Sequence, residues 1–235
     1  MMTHAPLTAI GFDADDTLWE NEQFYKLTEA RFAEIIGEHA EDADVAARLL
    51  EAERRNLRHY GFGIKGFTLS MIETAIEVSG ARVPASVIHQ ILEIGRELLG
   101  HPIETRPHAR ETLEEVAGSY RVILITKGDL FDQERKLAQS GLGELFDAGE
   151  IVSDKTSATY ERIFRRHGDG PERAMMVGNS VKSDVLPALA AGSWGVHVPH
   201  DLVWGLEHAD APEDAARFRR VAHLGEVPAL LEEIG

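Results

Sequence analysis

The chain has 235 residues, 43% hydrophobic and 27% charged, which marks a globular protein with enough length for a sizeable core and an inserted domain. Its formal net charge of -16 weighs against non-specific binding to nucleic acid or to anionic membranes, since both need a basic surface. The absence of cysteine excludes disulfides and thiolate chemistry, and residues 1–6 lack a signal-peptide pattern, so the expected location is the cytoplasm, as a monomer or homodimer.

Ala9, Ile10, Gly11 and Phe12 form a short apolar run suited to a buried parallel strand, and the run stops at Asp13, Asp15 and Asp16. Carboxylates this close repel one another unless a cation, a proton or hydrogen bonds compensate, and Mg²⁺ is the simplest neutralising partner. A polar turn capped by Asp16 or Thr17 would account for the same residues if they stood alone.

Residues 21–100 then change character. Phe24, Leu27, Phe32, Ile35 and Ile36 recur at helical spacing, with Gly37 near the end of that segment. Val45, Leu49, Leu50 and Leu57 indicate a second helix running to about Tyr60. Leu69, Ile72, Ala75, Ile76 and Val78 indicate a third. Val87, Ile88, Ile91, Leu92, Leu98 and Leu99 indicate a fourth, with Pro84 at its start. Four helices without an intervening strand read as a bundle. Gly61, Gly63 and Gly66 match the spacing of a dinucleotide-binding loop, but the segment before them reads as helix and not as strand, which makes this a flexible inter-helix loop.

From Pro107 onward helices and strands alternate, the pattern of a parallel sheet covered on both faces. Helices are expected at 110–117, 130–140, 157–166, 185–191 and 227–234, and strands at 122–125, 149–152, 174–177, 194–198 and 220–222. The predicted fold class is α/β: a doubly wound, Rossmann-like parallel-sheet core of residues 1–20 and 101–235, split by an α-helical bundle at 21–100.

In such a sheet ligands bind beyond the carboxyl ends of the strands. The strand at 9–12 ends in Asp13 and Asp15, and that at 122–125 in Thr126 and Lys127. Asp154 and Lys155 follow 149–152, and Asn179, Ser180 and Asp184 follow 174–177. The run Asp13-Ala14-Asp15-Asp16-Thr17 resembles the Asp-x-Asp-x-Thr signature of the haloacid dehalogenase-like hydrolase superfamily, in its phosphatase branch with a helical cap inserted after the first motif. The later strand ends extend that resemblance over most of the chain.

Phosphoryl transfer needs a nucleophile, positive charge on the phosphate oxygens and a proton donor for the leaving group. Asp13 can attack phosphorus and form an aspartyl phosphate, and Asp15 can move protons, the roles that the resemblance implies for the two acids. Thr126 and Lys127 would hold phosphate oxygens. Lys155 would neutralise both phosphate and nucleophile, and Mg²⁺ would sit on Asp13, the backbone carbonyl of Asp15 and Asp184. Where the family commonly has Gly-Asp, this chain has Gly178-Asn179, so whether Asn179 ligates the metal is open. Arg55 and Lys65 in the bundle are candidate contacts to the rest of the substrate.

The expected activity is a Mg²⁺-dependent phosphatase acting on a small phosphorylated metabolite, with neither nucleic acid nor membrane as partner. The alternatives are a phosphomutase or other phosphotransferase of the same superfamily, and a non-catalytic phospho-binding module. A dehalogenase is disfavoured because dehalogenases lack the second acid that Asp15 supplies. Receiver domains place similar residues at strand ends but are about half this length and have no helical insertion.

Overall fold

The computed structural model describes residues 6–40 and 44–234. Residues 1–5, on which the signal-peptide expectation falls, lie outside the described residues. The chain forms two compact units. One comprises the described residues up to Glu20 with Ile103–Lys127 and those from Gln133 onward, and the other comprises Asn21–Pro102 with Gly128–Asp132.

The first unit is a six-stranded, wholly parallel sheet in the order β3-β2-β1-β4-β5-β6. Its strands are β1 (Ala9–Phe12), β2 (Arg121–Lys127), β3 (Ala148–Val152), β4 (Ala174–Gly178), β5 (Trp194–His197) and β6 (Phe218–Arg220). Side chains alternate between the two faces of the sheet. Ile10, Phe12, Val122, Leu124, Met175 and Val177 pack on one side with α5 (Ala109–Ala117) and α9 (Val227–Ile234). Ala9, Ile123, Ile125 and Met176 pack on the other with α7 (Ser157–His167) and α8 (Leu186–Ala190). Gly11 suits the close packing of that second face. A β-carbon there would lie 2.7 Å from Ile125 Cδ1 and 3.3 Å from Phe164 Cζ, so any larger residue would have to displace those side chains. β1 is flanked by β2 and β4, so the sheet reverses its winding at β1, and the crevice beyond its carboxyl end is where the fold places a ligand.

The second unit packs α1 (Glu22–Gly37), α2 (Val45–Tyr60), α3 (Ile64–Val78) and α4 (Ala85–Leu99) around Phe32, Ile36, Leu49, Phe67, Met71, Ile91 and Ile94. Two expectations need correction here. α3 starts at Ile64 and buries Ile64, Phe67, Met71 and Ala75, whereas Leu69 and Ile76 of the expected apolar stripe face solvent. The stripe was misread because Ser70 and Thr74 are themselves buried, each hydroxyl bonding the carbonyl four residues back, so polar residues occupy the inner face. The glycine-rich stretch is also tighter than a flexible loop. Gly61 and Gly63 adopt left-handed φ of 71° and 113°, and Ile64-Lys65-Gly66 is already helix.

In the sheet unit β2 runs two residues further than its apolar run, taking in Thr126 and Lys127, which pair with Ile151 and Val152. β6 lies two residues earlier than expected, because Phe218 is the residue buried against the sheet. Gly128–Asp132, assigned by sequence to the core, groups with the helices, where the Lys65 ammonium bonds both oxygens of Asp129 at 3.0 Å. α6 (Leu130–Ser140) begins within that segment. Among the described helices none is long and apolar enough to cross a membrane.

Candidate active site

The chain leaves β1 through a turn that folds back on itself. Asp13 N–H still pairs with Val177 across the sheet, then Leu18 N–H reaches Ala14 and Asp16 N–H reaches Trp19, with Asp16 held at a left-handed φ of 62°. Asp tolerates that conformation better than most residues. The turn buries Asp13, Asp16 and Thr17 and directs Asp13 toward the ends of β3 and β4.

Asp13 is held at both oxygens. Lys155 Nζ donates to Oδ1 at 2.5 Å, and the Thr17 hydroxyl lies 3.0 Å from Oδ2. The same ammonium donates to Asp184 Oδ1 at 2.7 Å, so one buried lysine bridges two buried carboxylates. Burial pushes the Asp13 carboxyl up to about 7, with the Asp184 charge adding to the rise and Lys155 opposing it. Burial works against the Lys155 ammonium, but the two carboxylates outweigh it and raise its pKa above the ordinary lysine value.

Asp15 points into a different set of donors. Trp19 Nε1 and Lys136 Nζ reach its Oδ1 at 2.8 and 2.9 Å, and Gln133 Nε2 reaches Oδ2 at 2.8 Å. Burial alone would raise its pKa, but Lys136 and the three hydrogen bonds prevail and hold it below the usual carboxylate value.

The turn after β4 carries the remaining acid. Asp184 lies over Gly178 so closely that a β-carbon there would sit 2.2 Å from its Oδ2. That oxygen accepts the Ser180 N–H at 2.9 Å, and Tyr160 OH lies 3.5 Å from Oδ1 while donating to the Ser183 carbonyl at 2.9 Å. Burial, then the Asp184 and Asp13 charges, push the Tyr160 phenol well above its ordinary pKa, so it stays a donor. Asp184 is therefore engaged by protein donors at both oxygens. Asn179 meets Thr17 instead, its Oδ1 3.2 Å from the hydroxyl and its N–H donating to that hydroxyl at 3.0 Å.

Asp13, Asp15, Thr17, Lys155, Asn179 and Asp184 are thus brought together at the carboxyl ends of β1, β3 and β4, and Thr126 is buried at the end of β2. Three of the expected substrate contacts have other partners. Lys127 Nζ bonds Glu207 Oε1 at 2.5 Å and Ser183 Oγ at 2.7 Å. Arg55 binds Glu73 and Glu77 at 2.9 and 2.7 Å on an exposed face of the helical unit, and Lys65 binds Asp129. Sequence reasoning missed Lys136, Gln133, Trp19, Tyr160 and Glu207. Gln133 and Lys136 sit three apart and buried on a helix whose Leu130 and Phe131 are exposed, and both reach Asp15. A histidine also joins acids where none was expected, with His200 Nε2 3.0 Å from Glu20 and 3.7 Å from Asp16.

A parallel sheet that reverses at an acid-bearing strand, with a lysine bridging two carboxylates beside it, is a Rossmann-like fold with a charged site at its switch point. The chain belongs to the haloacid dehalogenase-like hydrolases, whose sequence profile matches residues 7–192. It is 43% identical to a haloacid dehalogenase-like family hydrolase from Xanthomonas campestris, with a TM-score of 0.87 over 100% of this chain and 96% of that one. The HAD-hydrolase YfnB from Bacillus subtilis, solved bound to magnesium, shares the fold at a TM-score of 0.66 and 15% identity, covering 97% of this chain and 99% of that one. Glyceraldehyde 3-phosphate phosphatase from Methanothermobacter thermautotrophicus is 27% identical over 207 residues, 83% of this chain and 87% of that protein.

Proposed function

We propose that the protein is a Mg²⁺-dependent phosphatase that hydrolyses a small phosphomonoester through an aspartyl phosphate on Asp13. The observation that carries this reading is the buried Asp13 carboxylate, fixed by Lys155 and Thr17 with a second acid two residues away. Held at both oxygens, Asp13 is restrained for attack on phosphorus, and the Lys155 charge offsets the negative charge that accumulates there. Asp15 takes a proton from the hydrolytic water and passes that proton to the leaving oxygen of the next substrate, so each turnover reloads the acid. The ionised form favoured by Lys136 is the one suited to that first step. Thr126 receives phosphate oxygens from the neighbouring strand.

The oxygen-only donor set suits a hard divalent cation, and burial of Asp13 beside Asp184 leaves negative charge that such a cation would offset. Asp13, the Asp15 carbonyl and the Asn179 side-chain oxygen would hold Mg²⁺, and Asp184, already engaged by Lys155 and Ser180, serves to anchor Lys155. When bound, the ion would supply positive charge to the transferring phosphoryl group.

The phosphatase relative that acts on glyceraldehyde 3-phosphate makes three-carbon phosphates the first substrates to try. The test is phosphate release across triose, sugar, nucleotide and organic-acid phosphates, with Mg²⁺ and after exhaustive EDTA. Metal-dependent release from at least one class is expected. Full activity without metal would remove Mg²⁺ from the reading, and no release from any class would remove the phosphatase.

A further inference from the structure

Residues 198–217, between β5 and β6, carry one acid that reaches back to the active-site turn. Glu207 is largely buried, and both of its oxygens are used. Oε1 accepts from Lys127 Nζ at 2.5 Å, and Oε2 accepts from Ser180 Oγ at 2.6 Å and Ser183 Oγ at 2.5 Å. Lys127 also donates to Ser183 Oγ, so Lys127, Ser183 and Glu207 close a side-chain ring, and Ser180 Oγ joins it by accepting the Ser183 backbone N–H at 3.0 Å. A second tie lies beside it, where Lys182 Nζ donates to the Leu206 carbonyl at 2.5 Å.

We propose that Glu207 is a positioning residue, joining the strand end that bears Thr126 to the turn that bears Asn179 and Asp184. Lys127 belongs to the last residue pair of β2, one place beyond Thr126. Ser180 and Ser183 fall between Asn179 and Asp184. That turn, Val181–Val185, is π-helical, a wide form that is rare and concentrates at functional sites. The Ser180 carbonyl accepts two of its backbone bonds, from Asp184 at 2.8 Å and from Val185 at 3.2 Å, so the orientation of Ser180 bears on how the turn starts. A carboxylate can accept from two hydroxyls and an ammonium at once. An amide of the same shape presents a donor to one of those groups and leaves the ammonium without its counter-charge. The group that the sequence offers as a phosphate ligand, Lys127, is thereby part of the frame that shapes the phosphate site.

This inference rests on the proposed phosphatase reading, and the test separates the two. Wild type, Glu207→Gln, Glu207→Asp and Ser183→Ala are titrated with Mn²⁺ alone, with free metal followed by electron paramagnetic resonance. Each is then assayed on an aryl phosphate across Mg²⁺ concentrations. Glu207→Gln is expected to weaken Mn²⁺ binding and raise the Mg²⁺ requirement by roughly 10-fold. It should lower kcat by about 10- to 100-fold with KM within about twofold, the range typical of groups that orient metal ligands. Glu207→Asp should recover part of the loss, and Ser183→Ala should show a smaller change in the same direction. A folded Glu207→Gln with wild-type metal affinity and kcat, differing only in melting temperature, would reduce Glu207 to a fold-stabilising residue. If Glu207→Gln does not fold, an unchanged Ser183→Ala has the same meaning. A wild type that neither binds Mn²⁺ nor releases phosphate overturns the phosphatase reading itself.

Discussion

In the helical unit the buried hydroxyls donate back along their own helices, with Asn56 crossing from α2 to Ser70 and Glu73 of α3, whereas in the sheet unit the buried polar groups reach across from one strand end to another. Thr28, Ser70 and Thr74 each bond a carbonyl one turn earlier, and Arg55, Lys26 and Arg31 hold their acids on exposed faces. At the ends of β1 to β4, by contrast, Lys155 joins residues 13 and 184, Thr17 joins 13 and 179, and Glu207 joins 127, 180 and 183. Bonds within one helix satisfy polar groups without constraining any other element. Bonds between elements far apart in sequence fix a geometry, and burial makes each of them costly to break.

That contrast can be broken most severely at Asp13. Asp13→Asn is expected to lower kcat by on the order of 10⁴-fold or more, since the nucleophile itself is lost, and single-turnover assays with labelled phosphate should show no protein-bound label. Near wild-type turnover would end the covalent reading. Lys155→Met comes next, because it strands two buried carboxylates. We expect a loss of about 3–5 kcal/mol in urea unfolding, as for a broken buried ion pair, and a loss below about 1 kcal/mol would mean that water reaches the pair. Asn179→Asp restores the acid that the family commonly has at that position, and the Mg²⁺ concentration for half-maximal activity should fall by roughly 10-fold, about 1.4 kcal/mol. An unchanged requirement would place Asn179 outside the coordination shell. The smallest effect belongs to the helical unit. Arg55→Ala should change stability by less than about 1 kcal/mol, as for an exposed ion pair, with kcat/KM on an aryl phosphate within about twofold. A large loss confined to one natural substrate would instead give Arg55 the specificity role that its sequence position suggested.

The parallel core was legible because buried strands are short apolar runs with few alternatives, and the acids after 9–12 stand out against them. The helical unit was legible in number but not in facing. The stripe through Leu69 and Ile76 is apolar yet exposed, while Ser70 and Thr74 lie inside because each carries its own acceptor one turn back. Asp13, Lys155 and Asn179 could be found because each lies within three residues of a strand end. Lys136 and Glu207 could not, since they come from a helix and an irregular segment whose route over the strand ends leaves no local pattern. The partner of Lys127 was not legible for the same reason, since Glu207 lies 80 residues away.

The segments that enter and leave the helical unit are tied together on the sheet side. Glu20 N–H bonds the Glu104 carbonyl at 2.9 Å, Arg106 N–H bonds Leu18, and Trp19 bridges Thr105. For folding, this means that β1 need not wait for its neighbour across an open chain. Without the helices, bringing Glu20 to Ile103 would mean closing a loop of roughly 80 residues. Helices assemble through contacts local in sequence, so the bundle is the part expected to order first. Once formed, it presents its two ends as a short effective loop and lowers the closure cost by about 2.5 kcal/mol, taking the usual logarithmic dependence on length. A destabilised bundle should then slow the pairing of β1 with β2, and with it the assembly of every group that meets Asp13.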